Sequence, residues 1–206
     1  MALENGIDLV IELPVITATS SAENFAQGGV CLLNALGVVS QISFGAEANT
    51  ASDVDLLGRL ADFFAFEPPI FQEYLDQALK SGCSFPAARA KAALTCLQQA
   101  KHHSMDSQTL AQFEQLLASP NNILAIEYMK AIRRHNCKLT PSVVTRTGAG
   151  YHDADTDTAL ASASALRKFI FQNTSDQKNT FDTLNQMLTR TVPDSVRELL
   201  LTAYES

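Results

Sequence analysis

Two short aliphatic runs flank one helical pattern near the start of the chain, and they constrain what the rest can become. Residues 8–13 read Asp-Leu-Val-Ile-Glu-Leu, and residues 38–44 read Val-Val-Ser-Gln-Ile-Ser-Phe. Both have the length and the β-branched content of buried parallel strands. Pro14 closes the first run, and Gly45-Ala-Glu47 follows the second. Between them, residues 21–36 space their apolar positions by three and four. Ser20 or Ser21 stands as N-cap, and Gly37 stands at the far end. Strand, helix, strand in this order predicts a right-handed parallel crossover over residues 8–45.

From Thr50 the pattern changes. Helical periodicity covers 52–66, 68–80, 85–100 and 107–118, broken at Pro68-Pro69, Ser81-Gly82 and His102-His103-Ser104. This reads as a helical insertion of about residues 50–118 after the second strand. A helix at 122–134 then leads to a third short strand around Val143-Val144. Further helical patterns begin near Leu160 and at 177–190 and 194–204. The predicted fold is α/β: a Rossmann-like parallel sheet in a nucleotide-binding domain, with a helical insertion and C-terminal helices. Residues 1–170 form this α/β domain, and 171–206 start a C-terminal helical region.

Composition agrees with a packed core. Hydrophobic residues make up 46% and charged residues 18%. Net charge is −7 and no Lys/Arg cluster occurs, so charge alone does not predict a nucleic-acid partner. Cys31, Cys83, Cys96 and Cys137 form no CxxC pair, which points to reduced apolar fillers rather than a zinc site. No apolar run is long enough to span a bilayer, and no signal peptide is recognised, so the expected location is cytoplasmic.

Candidate functional residues gather in the third quarter of the chain. Ser119-Pro-Asn-Asn122 precedes a helix; an Asn could cap it, and the second could meet a base or ribose edge. Arg146 ends the third strand, followed by Gly148-Ala-Gly150 and Tyr151-His152-Asp153. It could pair with Asp153 or Glu47, or grip a phosphate or carboxylate in bidentate fashion. Gly45 at a strand end could let a nucleotide approach the backbone, or could simply turn the chain. Ser162, Ser164 and Arg167 open a helix in a pattern suited to phosphate oxygens or to plain capping. His152 is read as fixing its loop. No GxGxxG or Walker A run occurs.

Taken in order, Asp8-Leu-Val-Ile-Glu-Leu-Pro14, Phe44-Gly-Ala-Glu47, Ser119-Pro-Asn-Asn-Ile-Leu124, Tyr151-His-Asp153 and Ala161-Ser-Ala-Ser-Ala-Leu-Arg-Lys168 resemble the bacterial tRNA(Met) cytidine acetate ligase family. That family lies within the HIGH-motif nucleotidyltransferase-like superfamily. The resemblance covers about the first 170 residues. It implies ATP, expected with Mg2+, as a substrate, and acetate and elongator tRNA(Met) as partners. It implies ATP contacts at Gly45, Asn121, Asn122 and Arg146, and a phosphate segment at Ser162, Ser164 and Arg167. The product implied is N4-acetylcytidine at the wobble position, reached through acetyl-adenylate. The His-x-Gly-His motif expected of such a family is absent from the sequence, so the catalytic residues are unknown and adenylate formation is expected to be impaired. Met1 aligns inside a family helix, so the chain looks like the family without its first βα unit; poor stability or homodimerisation through a bared sheet edge is the expected result. The alternatives are another adenylyltransferase of the superfamily, or a non-catalytic nucleotide-binding or dimerising remnant.

Overall fold

The computed structural model describes residues 2–99, 106–145, 163–172 and 177–205. It divides into two compact units, Leu13–Arg146 and a second made of Met1–Glu12 with Thr147–Ser206.

The larger unit is mostly helical around one parallel strand pair. In chain order it holds α1 (Val15–Ala18), α2 (Ala22–Ala35), β1 (Gln41–Ala46), α3 (Ala51–Ala65), α4 (Pro69–Lys80), α5 (Phe85–Gln99), α6 (Ser107–Ala118), α7 (Pro120–Arg134) and β2 (Thr140–Thr145). β1 and β2 run parallel, in register from Gln41 opposite Thr140 to Ala46 opposite Thr145. The long connection between them is α3 to α7, so the insertion sits inside the crossover itself.

Local chemistry explains where these helices start. Thr50 and Asp53 form a reciprocal capping box on α3. Ser21 caps α2 by accepting from the Asn24 N–H at 3.4 Å. Pro69 fills the first position of α4, where a missing N–H costs nothing. At the other end of α2, Gly37 takes φ +71°, a left-handed conformation that turns the chain toward β1. Gly28 is needed for another reason: a Cβ there would lie 2.7 Å from the Thr17 side chain, where α1 rests on α2.

Helix α7 organises the core. Ala125, Ile126 and Met129 join the main cluster with Leu57, Leu60, Phe64, Phe71 and Phe113. One turn on, Ala131 and Ile132 join a second cluster with Val30, Ile42 and Leu139. Tyr128 stacks on Phe44 of β1 with ring centroids 5.1 Å apart. Each fully buried Phe or Leu contributes on the order of 1.5–3 kcal/mol.

Charges are buried within this apolar packing. Glu127 is 1% exposed, and both its oxygens face cations: Oε1 meets Arg89 Nη1 at 2.6 Å and Oε2 meets Lys130 Nζ. Lys130 also donates to Glu23 of α2 at 2.8 Å, and Arg134 reaches the same Glu23 oxygen at 3.1 Å. Arg134 donates to the Phe64 and Ala65 carbonyls in the last turn of α3 as well. Arg89 lies 3.9 Å above the Phe64 ring. The cluster therefore ties α2, α3 and α5 to α7.

The expected strand at 8–13 does not form. These residues are irregular, and Leu9, Val10 and Ile11 are 67%, 58% and 40% exposed. A strand exists only where its backbone finds a ladder partner. Among the described residues the one sheet is β1 with β2. The crossover expected over 8–45 is therefore replaced by the β1–β2 crossover. The other expected elements appear with boundaries shifted by a few residues at most.

In the smaller unit, the 3-10 turn Leu3–Asn5 ends at Gly6 with φ +93°, a left-handed conformation that glycine adopts readily. Helices α8 (Ala163–Gln172), α9 (Gln177–Thr191) and α10 (Asp194–Glu205) follow. Leu184 and Leu188 of α9 are buried. Asn5 Nδ2 donates to Ser195 Oγ at 3.0 Å, which joins the two ends of the chain.

Two predictions follow from the ionic cluster. Replacing Glu127 by Ala leaves buried Lys130 with Glu23 alone and takes the carboxylate from half-buried Arg89, and is expected to lower unfolding free energy by about 3 kcal/mol or more, read by urea titration. Glu23 has its carboxyl held below the usual range, first by the Lys130 hydrogen bond and further by the Lys130, Arg134 and Arg89 charges, against an opposing effect of burial. A depressed folded pKa stabilises fully above the ordinary glutamate value of about 4.3 and loses that effect as pH falls through the lower folded value. The stability difference between the parent chain and Glu23→Gln is therefore expected to stay constant above that value and to shrink at more acid pH.

Candidate functional site at the carboxyl end of β1

Parallel sheets place ligands beyond the carboxyl ends of their strands. β1 ends there in Phe44-Gly45-Ala46, with Glu47 next in the chain. Gly45 is exposed, whereas Ala46 and Ala48 are fully buried and fix the backbone on either side of Glu47. Thr145 Oγ1, at the end of β2, donates to the Ala48 carbonyl at 2.9 Å and closes the loop against the neighbouring strand.

The start of α7 meets this strand end. Its N-cap is Ser119, whose Oγ accepts from the Asn122 N–H, and Pro120 occupies the first turn. The cap is therefore the serine and not an asparagine, which leaves both asparagine side chains available. Asn122 is 2% exposed, and its Oδ1 accepts the Glu47 N–H at 2.8 Å. Asn121 Nδ2 donates to Glu47 Oε1 at 2.7 Å. Two adjacent residues of one helix thus hold the main chain and the side chain of one glutamate, 74 and 75 positions away in sequence. A carboxylate beside a helix N-terminus also meets the favourable end of the helix dipole.

Of the sequence-derived candidates, the structure brings Gly45, Asn121 and Asn122 to this edge. Ser164 and Arg167 lie exposed on α8, in the other unit. Arg146, Gly148, Gly150, Tyr151, His152, Asp153 and Ser162 lie outside the described residues. Glu47 is the residue that sequence reasoning undervalued, since it entered only as an ion-pair partner for Arg146. The available signal was an acidic residue two places past a glycine at a strand end.

Of the free thiols, Cys96 is buried, Cys83 and Cys137 are half-buried, and Cys31 is exposed. Burial raises the Cys96 pKa, and burial together with the nearby Cys31 raises that of Cys137. A separate cavity of ≈ 210 Å³ lies over the ionic cluster, walled by Phe64, Phe85, Leu117 and Ile123 with Arg89 and Glu127. It shares no lining residue with the strand-end cluster. No helix among the described residues is long and apolar enough to cross a membrane.

Comparison with known proteins adds a second line of observation. The model of the family described as HIGH Nucleotidyl Transferase matches residues 1–206. A tRNA(Met) cytidine acetate ligase of Clostridium perfringens is 44% identical over 182 residues, covering 88% of this chain and 44% of that protein. One from a Thermoanaerobacter species is 38% identical over 205 residues, covering 100% of this chain and 45% of the relative. Among solved structures, Thermotoga maritima TmcAL bound with alpha-thio ATP aligns with a TM-score of 0.78 at 27% identity, over 99% of this chain and 42% of that one. The apo form of the same protein aligns with a TM-score of 0.81 at 28% identity. The chain thus spans a little under half the length of the curated relatives it matches.

The Asn122 contact is open to direct test. Asn122→Ala leaves the part-buried Glu47 N–H without its acceptor and is expected to cost about 1–3 kcal/mol in urea unfolding. Amide exchange at Glu47 is expected to speed up more than exchange in the α4–α5 pair.

Proposed function

The chain belongs to the HIGH nucleotidyl transferase family, and from that premise we propose that it is the nucleotide-handling part of an ATP-dependent tRNA(Met) cytidine acetate ligase. The observation that carries this reading is the match to ligases of that name along the whole chain. The pinned strand end supports it, because it supplies the kind of edge on which parallel α/β folds hold nucleotides.

In the proposed reaction, an acetate oxygen attacks the α-phosphorus of ATP. The bond from that phosphorus to the bridging oxygen breaks, pyrophosphate leaves, and acetyl-adenylate forms. The N4 amine of the wobble cytidine in elongator tRNA(Met) then attacks the acetyl carbonyl, AMP leaves, and the amine loses a proton. Negative charge grows on the departing pyrophosphate, so fixed cations and helix-start amides lower the barrier.

The residues take roles that follow from their chemistry. Exposed Gly45 presents no side chain, so the nucleotide can lie against the end of β1. Asn121 and Asn122 hold that end in place. Arg146 follows the last residue of β2, and its planar fork suits phosphate oxygens. Ser162, Ser164 and Arg167 supply further phosphate contacts. Mg2+ enters bound to the ATP phosphates, the usual state of that ion; among the described residues no group of three or more His, Cys, Asp or Glu could hold a metal. A tRNA substrate places the protein in the cytoplasm. A second copy of the chain, paired along the edge of β1 away from β2, completes the list of proposed partners. No His-x-Gly-His run occurs in the sequence, so adenylate formation by these 206 residues is slow on this reading.

Calorimetric titration with ATP tests the assignment. The parent chain is expected to bind, and Arg146→Ala to weaken binding about tenfold or more, as loss of a charge-assisted contact does. Equal binding by both removes Arg146 from the phosphates. Pyrophosphate release that depends on a small phosphorylated acceptor rather than on acetate would move the protein to a different transferase.

A further inference from the structure

We propose that the cavity over the ionic cluster is a binding site for a branched short-chain monocarboxylate, with the Arg89 guanidinium receiving the carboxylate and the apolar wall receiving the tail. The site is independent of nucleotide binding. Every residue it uses lies in the larger unit, and none belongs to the strand-end cluster.

Arg89 is anchored but not saturated. A guanidinium carries several N–H donors in a planar fork and accepts nothing. One nitrogen, Nη1, meets Glu127 Oε1 at 2.6 Å, and the guanidinium lies over the Phe64 ring. Among the described residues no acceptor pairs with Nε or Nη2, and 17% of the side chain stays accessible. The edge formed by Nε and Nη2 is one that takes a carboxylate through two parallel hydrogen bonds. Glu127 borders the cavity but does not face the ligand. Its oxygens are sealed from solvent against Arg89 and Lys130, so its effect is to hold the guanidinium in place.

Charge and shape together choose the ligand. Within the cluster Arg89, Lys130 and Arg134 face Glu23 and Glu127, which leaves one positive charge in excess. Glu23 at the rim already accepts from Lys130 and Arg134. Two helices also start at the cavity: Ala22 and Glu23 open α2, and Phe85 and Pro86 open α5. Each brings the positive end of its dipole. A monoanion is therefore favoured over a cation. Phe64, Phe85, Leu117 and Ile123 make the rest of the wall hydrocarbon, which a bare inorganic anion leaves uncovered. An apolar cavity of about 150 Å³ takes a benzene, so the ≈ 210 Å³ here has room for a ligand of about eight heavy atoms. Acetate leaves most of that space empty.

Calorimetric titration of the intact chain with 4-methylpentanoate tests the site, beside its primary amide, 3-methylbutylamine and acetate. The acid is expected to bind saturably with a Kd of about 1 mM or tighter. The amide and the amine are expected to bind at least about tenfold more weakly, through loss of the charge-assisted pair. Acetate is also expected to be weaker by about tenfold or more, since each methylene buried is worth about fourfold. Ala90→Leu fills the cavity from α5 without touching an ion pair, and is expected to weaken the acid about tenfold or more while a urea titration shows the chain still folded. In the parent, nuclear Overhauser contacts from the ligand methyl groups are expected at Phe64 and Ile123. No saturable binding of the acid by the parent overturns the proposal. Amide or amine binding as tight as the acid removes Arg89 as the anchor and overturns it too, and equally tight acetate binding overturns the assigned ligand class. Acid binding that survives a folded Ala90→Leu unchanged, or contacts that fall on other residues, places the ligand elsewhere. The parent's ligand series and contacts are sufficient even if Ala90→Leu unfolds.

Discussion

Helix α7 must satisfy buried charge and buried hydrocarbon at once, and the larger unit is arranged around that requirement. Eight of its residues are buried, among them Glu127 and Lys130. A buried carboxylate beside a buried and a half-buried cation gains little net stability over a well-packed apolar core, because desolvation consumes much of the Coulomb energy. What it adds is discrimination. Arg89 comes from α5, Glu23 from α2, and the α3 carbonyls meet Arg134. An alternative packing that satisfies the hydrocarbon but slides one helix leaves a charge stranded, and stranding is expensive.

The order and type of most elements could be read from the sequence because the helices carry their own punctuation. Thr50 with Asp53, Ser21, Pro69 and Gly37 each act through local geometry. Residues 8–13 could not be read in this way. Their aliphatic content gives a preference for strand, but a strand is a pairing between two segments, and the pairing is not written in either one. The same limit shaped the reading of α7. A capping asparagine and a capping serine look alike in sequence, and the choice of Ser119 became visible only once Asn121 and Asn122 were seen to have distant partners.

The candidate site was half legible for a related reason. Gly45 and the asparagine pair stood out by residue type and by order along the chain. The hydrogen bonds that join the two asparagines to Glu47 span more than seventy residues, a separation at which no spacing rule applies. Most of the ionic cluster was invisible for the same reason: Glu127 and Lys130 are three apart on α7, but Glu23 and Arg89 come from α2 and α5. In both places the chain commits polar groups to partners that only the tertiary structure supplies.

Adjacent residues on an α-helix point about 100° apart around its axis. Asn121 and Asn122 nevertheless both engage Glu47, one at its side chain and one at its backbone. Two attachments at different azimuths fix the rotation of α7 about its own axis, whereas a single one would fix only its distance. The helix becomes a torsion bar clamped at the strand end and loaded along its length by the ionic cluster. Repacking around Lys130 or Ile132, several turns from the edge of the sheet, has a mechanical route to the orientation of the Glu47 carboxylate. Variation in the core would then be read out as variation in the set of the Glu47 carboxylate, without any change at Asn121 or Asn122.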